Sequence, residues 1–325
     1  MIAARGGALE RLVAGLAIAT LWTPSLASAA CTPARSPADA PVALVLSGGG
    51  AKGAWEAGVA AALVEGGLRI RLVAGSSAGA LNAAMLADGR LDRLESAWRD
   101  LRREQVWALR PSVFFSGFLP GWLTLLAVSG AGSLLDPQPL RDLIAASLDL
   151  DRIRASPVRL LVVATDLVRR ETRRFDNWTV TVDALMAATA VPGVFPPVEI
   201  DGDLLVDGGL TSRAPIVEAL DAGLSIGRAI VLVSYAPEGR GDRPATVRRA
   251  LEDAFEIAMR HQILRDTELA RLRHPGVEIQ IVTPSVALGL RPLDFDPARL
   301  ARALEGGRAD GTACLKAWEG GDGAR

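Results

Sequence analysis

Residues 42–79 read VALVLSGGGAKGAWEAGVAAALVEGGLRIRLVAGSSAG, and this stretch decides the fold. Val42–Leu46 is an unbroken apolar run of the kind that forms a buried strand, and Ala51–Glu65 has the composition of a helix. Ile70–Ala74 predicts a second strand, followed by a helix over Ala78–Leu86. A strand, a crossover helix and a second strand form a βαβ unit, which predicts parallel pairing.

The same alternation continues through the rest of the chain. The further predicted strands are Arg159–Thr165, Leu204–Val206, Ala229–Ser234 and Val277–Val282. The further predicted helices are Leu91–Arg103, Val182–Ala190 and Ala245–Leu272. The pattern predicts an α/β fold with a mainly parallel central sheet. There is no internal repeat and no second composition regime, so we expect a single domain over residues 42–320.

Composition excludes some classes of function. Half of the 325 residues are hydrophobic and 22% are charged, which is enough for a substantial core. The formal net charge of −1 gives no basic face of the kind that nucleic acid requires. We therefore expect no nucleic-acid partner, and any affinity for a membrane would come from apolar surface.

The N-terminus has the features of an export signal. Arg5 and Arg11 precede an apolar stretch over Leu12–Trp22, and small residues end the segment. The apolar stretch is shorter than the roughly 20 residues of a membrane-spanning helix. We expect residues 1–30 to be a signal peptide and residues 31–41, which contain three prolines, to be a linker. An uncleaved anchor and a merely apolar N-terminal tail are the alternatives.

Two cysteines raise a separate question. Cys31 lies where a lipoprotein would carry its acylated cysteine, but the residues before it lack the usual large aliphatic side chain. The other cysteine is Cys314, and in an oxidising compartment the two could form a disulfide. Lipidation, a disulfide and two free thiols all remain open at this point.

Residues 111–135 contain no charged side chain and are rich in Phe, Trp and Leu. Pro120 and several glycines interrupt the run, which argues against a membrane-spanning helix. A buried cap is one interpretation. A partly exposed lid that makes peripheral contact with a membrane is the other.

A glycine loop joins the first strand to its helix. Gly48, Gly50 and Gly53 match the G-x-G-x-x-G pattern of dinucleotide-binding folds, but no acidic residue closes the second strand. Lys52 precedes Gly53 rather than a Ser or Thr, so the phosphate-binding loop of nucleotide hydrolases also fails. The physical feature that remains is a set of backbone N–H groups at a helix N-terminus, which stabilise negative charge.

A second glycine turn follows the second strand. Gly75-Ser76-Ser77-Ala78-Gly79 matches G-x-S-x-G, in which the central serine lies on a sharp turn with its hydroxyl exposed above the sheet. Gly75 and Gly79 allow strand and helix to approach closely. A simple Ser/Gly-rich helix cap is the competing interpretation, but the position after a strand favours Ser77 as a nucleophile.

A serine nucleophile needs a base, and the chain offers few. His261 and His274 are its only histidines, and neither has a glycine turn that would bring it to a sheet edge. Asp207-Gly208-Gly209 follows a short predicted strand; by itself this is an ordinary turn sequence. The scarcity of histidines makes Asp207 a candidate base.

In this order and spacing, Gly-Gly-Gly-Ala-Lys-Gly, Gly-Ser-Ser-Ala-Gly and Asp-Gly-Gly resemble the motifs of the patatin-like phospholipase family. Ala164–Leu167 and Ala187–Pro197 strengthen the resemblance, which covers about residues 42–235. It implies a three-layer α/β/α sandwich that works with a Ser–Asp dyad and without histidine, cofactor or metal. The residue roles that it implies are the nucleophile Ser77, the base Asp207 and an oxyanion hole formed by Gly48, Gly49, Gly50, Ala51, Lys52 and Gly53. Among these, the N–H groups of Gly49, Gly50 and Ala51 are the best candidates.

One departure from the family is visible. After Asp-Gly-Gly, members of the family often have an Asn two or three residues before a proline, whereas this chain has Thr211-Ser212-Arg213-Ala214-Pro215. The resemblance therefore does not predict which side chains surround Asp207, although it still implies the dyad.

The resemblance, the apolar segment and the export signal together lead to one expectation. We expect a secreted serine lipid acyl hydrolase that acts on a lipid or phospholipid substrate in the periplasm, at the outer membrane or outside the cell. A Ser–His esterase and a non-catalytic lipid-binding protein on the same fold are the alternatives.

Overall fold

In the computed structural model, residues 31–37, 39–109, 133–235 and 243–319 are described. In chain order the strands are β1 (Val42–Leu46), β2 (Ile70–Gly75), β3 (Ala108–Leu109), β4 (Leu135–Asp136), β5 (Arg159–Asp166), β6 (Glu171–Asp176), β7 (Val198–Ile200), β8 (Asp203–Asp207), β9 (Arg228–Leu232) and β10 (Glu278–Val282). The helices are α1 (Gly53–Glu65), α2 (Ala78–Asp88), α3 (Leu91–Arg99), α4 (Arg103–Val106), α5 (Gln138–Ser147), α6 (Leu150–Ala155), α7 (Val182–Thr189), α8 (Ile216–Leu220), α9 (Val247–Arg273) and α10 (Pro297–Glu319).

The main sheet has eight strands in the order β10-β9-β1-β2-β5-β8-β7, and β6 also pairs with β5. The five strands from β10 to β5 are parallel to one another. Strands β6, β7 and β8 are antiparallel to their neighbours. Because parallel strands end at the same edge, the turns after β1 and β2 lie side by side.

Alternate residues of β1 face opposite layers of helices. Leu44 and Leu46 pack in a core that includes Trp55 of α1 and Leu304 of α10. Ala43 and Val45 pack in a second core with Ile216 of α8 and residues of α9. Helices therefore cover both faces of the sheet, and the prediction of a three-layer α/β/α architecture with a mainly parallel sheet is confirmed.

Helix α9 is oriented differently from what its sequence suggests. Its large apolar residues recur at helical spacing, yet Val247, Leu251, Ile257 and Leu272 are exposed. The buried side of the helix comes from other positions, including Ile263, Thr267 and Ala270. The predicted helix Leu91–Arg103 is also interrupted, since α3 ends at Arg99 and α4 begins at Arg103.

The segment expected to be a linker is docked against the sheet edge. The N–H groups of Arg35 and Ser36 donate to the Glu278 carboxylate at the start of β10. Cys31 is disulfide-bonded to Cys314 of α10, with a Cα–Cα distance of 5.3 Å that suits a disulfide. Of the alternatives for the two cysteines, the structure has the disulfide.

Two expected segments fall largely outside the described residues. The expected signal peptide over residues 1–30 lies wholly outside them, and of the apolar segment 111–135 only residues 133–135 are described. Ser133 and Leu135 are buried.

Candidate active site

Ser77 lies between β2 and α2 in a backbone conformation that a serine seldom adopts. Its φ of 53° and ψ of −134° place it outside the favoured regions, and such strain is typical of functional turns. A Cβ on Gly75 would lie 2.2 Å from the Gly79 carbonyl oxygen, and one on Gly79 would lie 2.5 Å from the Leu46 oxygen. The two flanking glycines therefore permit the turn because only a residue without a side chain fits there.

Asp207 ends β8 and begins a short 3₁₀ turn. Its Oδ1 accepts a hydrogen bond from the Gly209 N–H at 2.8 Å. Its Oδ2 is buried and has no hydrogen-bond partner in the described part of the chain. The Ser77 hydroxyl is close enough to lower the pKa of this carboxyl, so Oδ2 is the oxygen available to the serine.

Burial is the dominant influence on the Asp207 carboxyl and raises its pKa above the ordinary value. The nearby Arg213 charge, the Gly209 N–H and the Ser77 hydroxyl each lower it, in that order of size. A raised pKa makes an aspartate a stronger base, which is what a serine hydroxyl requires.

One turn of chain holds both residues in place. The Ser77 N–H donates to the Ala188 carbonyl at 3.0 Å, and the Asp207 N–H donates to the Ala190 carbonyl at 2.9 Å. Ala188 lies in the last turn of α7 and Ala190 directly follows the helix, within the segment 187–197 that we singled out in the sequence. The same short stretch of chain thus bonds to the backbone of both residues.

The glycine loop after β1 has three consecutive residues at positive φ: 71° at Gly48, 124° at Gly49 and 60° at Gly50. The Gly48 N–H donates to both oxygens of Glu56, at 2.9 and 3.0 Å, and the Ala51 N–H donates to the Pro292 carbonyl at 2.9 Å. Within the described residues, the N–H groups of Gly49 and Gly50 have no such partner. Both glycines line the same cavity as Ser77.

These contacts reduce the number of N–H groups that could act as oxyanion donors. Gly48 and Ala51 are excluded as donors because their N–H groups are already bonded. The Lys52 N–H bonds to the Gly49 carbonyl, and the Gly53 N–H bonds back within the turn. Gly49 and Gly50 remain. The Ala78 N–H, directly after Ser77, is a further candidate that our sequence reasoning missed; it also lines the cavity.

The Lys52 side chain points along the cavity wall. Its Nζ atom is 2.5 Å from the Glu256 carboxylate of α9 and 4.9 Å from the centre of the Tyr235 ring. The lysine is therefore already paired with a carboxylate and an aromatic ring.

Two further buried charged groups were missed by the sequence reasoning. Glu56 is completely buried, and its desolvation raises its pKa to about 8. Arg213 is only 3% exposed, and its guanidinium lies 5.6 Å from the Tyr235 ring centre. For Arg213 the sequence did contain a signal, since it occupies the position two residues before Pro215 where the family often has Asn.

Neither histidine is near Ser77 in this arrangement. His261 is exposed on α9. His274 precedes β10 and contacts Asp221 at 2.9 Å, at the sheet edge opposite the Ser77 turn. Neither side chain lines the cavity that contains Ser77.

A cavity of about 1750 Å³ opens above Ser77. Its lining includes apolar residues of α2, α3, α4 and α5, among them Leu81, Met85, Leu101, Val106, Leu140 and Ile144. Charged residues also line the cavity, including Lys52, Arg213, Arg249, Glu256, Arg291 and Asp294. A molecule with one apolar and one polar end would match this mixed lining.

The described residues contain neither a candidate metal site nor a candidate membrane-spanning helix. No cluster of His, Cys, Asp and Glu side chains there could hold a metal ion. No helix in the same part of the chain has both the length and the apolar run needed to cross a bilayer.

Comparison with known proteins places this site in a family. The chain is 34% identical over 188 residues to an uncharacterized NTE family protein of Mycobacterium tuberculosis, an alignment that covers 57% of this chain and 48% of the relative. A putative patatin-like phospholipase domain-containing protein of Caenorhabditis elegans is 29% identical over 209 residues, with 57% of this chain and 17% of that protein covered. The aligned part of the chain thus spans about half the length of the mycobacterial relative and a smaller share of the Caenorhabditis elegans protein.

Among solved structures, VipD from Legionella pneumophila aligns with a TM-score of 0.44 at 18% identity, over 89% of this chain and 70% of VipD. A sequence model described as patatin-like phospholipase matches residues 44–220, which is more than half of the chain. The match includes both glycine turns and Asp207. The chain therefore belongs to the patatin-like phospholipase family.

Proposed function

We propose that this protein is a secreted serine lipid acyl hydrolase in which Ser77 is the nucleophile and Asp207 is the base. Membership of a phospholipase family supports hydrolysis of a lipid acyl ester. The observation that carries the proposal is the free Oδ2 of Asp207, which is buried beside the Ser77 hydroxyl. Gly49 and Gly50, whose N–H groups have no hydrogen-bond partner among the described residues, line the same cavity.

The chemistry follows from these atoms. Ser77 Oγ attacks the ester carbonyl carbon, and its proton passes to Asp207 Oδ2. The carbonyl oxygen becomes an oxyanion, which accepts hydrogen bonds from the Gly49 and Gly50 N–H groups. Asp207 returns the proton to the departing alkoxide, which leaves an acyl group on Ser77. Water then attacks this acyl ester with Asp207 again as base.

The cavity supports a lipid substrate over a small polar ester. Its many apolar lining residues suit an acyl chain, and its charged lining residues suit a polar head group. Glycerophospholipids are the class that we propose first, followed by lysophospholipids, acylglycerols and simple esters.

The test compares purified mature protein with Ser77→Ala and Asp207→Asn on phospholipid and p-nitrophenyl ester substrates in detergent. We expect both variants to lose at least about 1,000-fold in turnover, because each removes a member of a unit that works together. Mass spectrometry should find a fluorophosphonate adduct on Ser77 of the unmodified protein. Equal turnover by Ser77→Ala and the unmodified protein would reject the mechanism.

The same assay separates the two alternatives. Histidine variants His261→Ala and His274→Ala should retain turnover; a loss in either, with the fold intact, would favour a Ser–His esterase. A protein that binds lipid vesicles but neither hydrolyses esters nor reacts with fluorophosphonate would be a non-catalytic lipid-binding member of the family.

We further propose export through residues 1–30 and peripheral membrane contact through residues 111–135. Their support is the apolar composition of both segments. The disulfide between Cys31 and Cys314 also suits an oxidising compartment. Fractionation of cells that express the full chain, with detection of the mature N-terminus, tests the proposed export and localisation. A cytoplasmic, full-length product would contradict it.

A further inference from the structure

We propose that Arg213 is a positioning residue that keeps the buried Asp207 carboxyl ionised and therefore able to act as the base for Ser77. This inference rests on the proposed function and deepens it. Arg213 does not contact the reacting atoms in the mechanism above; it acts through Asp207.

The guanidinium reaches Asp207 through a gap left by a glycine. A Cβ on Gly209 would lie 2.8 Å from Arg213 Nη1 and 3.0 Å from Asp207 Oδ1. The glycine after Asp-Gly therefore leaves the space in which the cation approaches the carboxyl. Arg213 itself is 3% exposed, so little water screens its charge.

Contacts on its other sides fix Arg213 in this position. The Ser76 hydroxyl, next to the nucleophile, donates to the Arg213 carbonyl at 2.6 Å. Its guanidinium lies against the Tyr235 ring, and its Nε is buried without a hydrogen-bond partner among the described residues. The Ser76 hydroxyl and the Tyr235 ring therefore hold Arg213 from two sides.

The positive charge of Arg213 influences the ionisation of two buried carboxyl groups, those of Asp207 and Glu56. Arg213 lowers the pKa of Asp207 and of Glu56, in both cases against the effect of burial. The Thr165 hydroxyl of β5 donates to the Asp207 backbone carbonyl, and the Ala190 carbonyl after α7 accepts from the Asp207 backbone N–H, so neither bond brings a charge to the carboxyl. Among the described neighbours of the Asp207 carboxyl, Arg213 is therefore the cation that opposes its protonation.

Removing this charge should move the acid limb of the pH–rate profile. Without Arg213 the Asp207 carboxyl keeps its proton to a higher pH, so a larger fraction of the enzyme lacks a base at low pH. We expect the acid limb of kcat/KM to move upward by about one pH unit or more in Arg213→Met, as an opposite charge at close range shifts a carboxyl by about 1–3 units. Arg213→Lys keeps the charge and should move the limb by less than half as much.

Two readouts and a matched control make the test independent of the substrate. The first readout is kcat/KM for a p-nitrophenyl ester across pH; the second is the pH dependence of fluorophosphonate labelling at Ser77. The control is Arg228→Met, because Arg228 is also 3% exposed but lies at the start of β9, at the opposite sheet edge. That variant should lose stability and leave the acid limb in place.

The outcomes separate this inference from the proposed function. A limb that stays in place in Arg213→Met, with activity reduced equally at every pH, would show a structural role and overturn the inference. If Arg213→Met does not fold, Arg213→Lys decides: a limb displaced by a full unit would overturn the role of the charge. Ser77→Ala, measured alongside, tests the proposed function itself. If Ser77→Ala is inactive while the acid limb of the Arg213 variants stays in place, the proposed function stands and only the inference about Arg213 fails.

Discussion

The Glu56 carboxyl connects a buried charge to the shape of the glycine loop. Its Oε1 accepts from the Ser47 hydroxyl and the Gly48 N–H, both at 2.9 Å. These contacts hold the first residues of the loop, and the next two residues, Gly49 and Gly50, line the cavity. Holding the loop with a buried carboxyl costs free energy, because burial disfavours the charged form of the acid.

That cost leads to a prediction about pH and stability. In the unfolded chain Glu56 loses its proton near its ordinary pKa of 4.5, whereas in the folded protein it keeps the proton until about pH 8. The folded state therefore binds more protons in this window, and the free energy of unfolding falls as pH rises, by up to about 1.4 kcal/mol per pH unit from this group.

Glu56→Gln should remove this dependence, since a glutamine oxygen can still accept from Ser47 and Gly48. Urea unfolding at several pH values between 5 and 8.5 measures it, with exposed Glu305→Gln as the control. We expect the stability of Glu56→Gln relative to the unmodified protein to rise with pH. Parallel pH profiles for the two proteins would contradict the assignment.

At the scale of an element, the strand–turn–helix unit depends on close backbone packing. Gly48 and Gly67 both have positive φ, 71° and 81°, so alanine is strained at either position. A Cβ on Gly48 would also lie 2.5 Å from the Ser76 carbonyl oxygen, whereas nothing lies within 4 Å of one on Gly67.

We therefore predict different outcomes for two chemically identical substitutions. Gly67→Ala should cost about 1 kcal/mol of stability and leave turnover unchanged. Gly48→Ala must push the glycine loop away from the Ser77 turn and should reduce turnover by about 100-fold or more, as the loss of an oxyanion donor does. Ester hydrolysis and thermal unfolding of both variants check this; equal turnover in the two would show that the contact is unimportant.

Helix α9 provides a second element-scale test, because two isoleucines on it have opposite environments. Ile263 is 1% exposed and Ile257 is 58% exposed. Ile263→Ala should destabilise the protein by about 2–4 kcal/mol, and Ile257→Ala by no more than about 0.5 kcal/mol. Denaturant midpoints for the two variants measure the difference; a larger cost at Ile257 would mean that the apolar stripe is covered in the folded protein.

The limits of prediction from the sequence are also clearest at this scale. The units around β1 and β2 were predictable because their strands, glycine turns and helices are local signals. Helix α10 was missed because Gly306, Gly307 and Gly311 are poor helix formers. In the structure, two of these glycines let α10 pack against α1: a Cβ on Gly307 would lie 2.1 Å from the Trp55 carbonyl oxygen.

Strand β6 and the surroundings of Asp207 were missed for a different reason. Residues 171–176 read ETRRFD, which has little apolar pattern, and their strand forms because the long β5 supplies a pairing edge. Glu56, Arg213 and Tyr235 come together from distant parts of the chain, so no local pattern could indicate their contact. The occupied N–H group of Ala51 likewise depends on Pro292, far along the sequence.

At the scale of the whole molecule, the two ends of the described chain are tied together. The disulfide joins Cys31 to Cys314, which are 283 residues apart, and Cys314 is buried where α10 packs on α1. Near it, the Trp318 indole donates to Gln280 of β10 at 2.6 Å, and Arg228 lies over the same indole. The N-terminal segment, the C-terminal part of α10 and the β10 edge therefore form one connected region.

This arrangement predicts that the disulfide affects stability and leaves catalysis unchanged. A crosslink over so long a segment removes much entropy from the unfolded chain, so Cys31→Ser with Cys314→Ser should lower the free energy of unfolding by about 2–5 kcal/mol. Turnover at 25 °C should stay within about twofold, because Leu315, next to Cys314, meets Gly66 after the C-terminal end of α1, whereas the glycine loop lies before its N-terminal end. Intact mass with and without reductant, urea unfolding and ester hydrolysis measure the three quantities. Two thiols that react with iodoacetamide in the unreduced, exported protein would contradict the disulfide. A lipid adduct on Cys31 would also contradict it, since an acylated Cys31 cannot pair with Cys314.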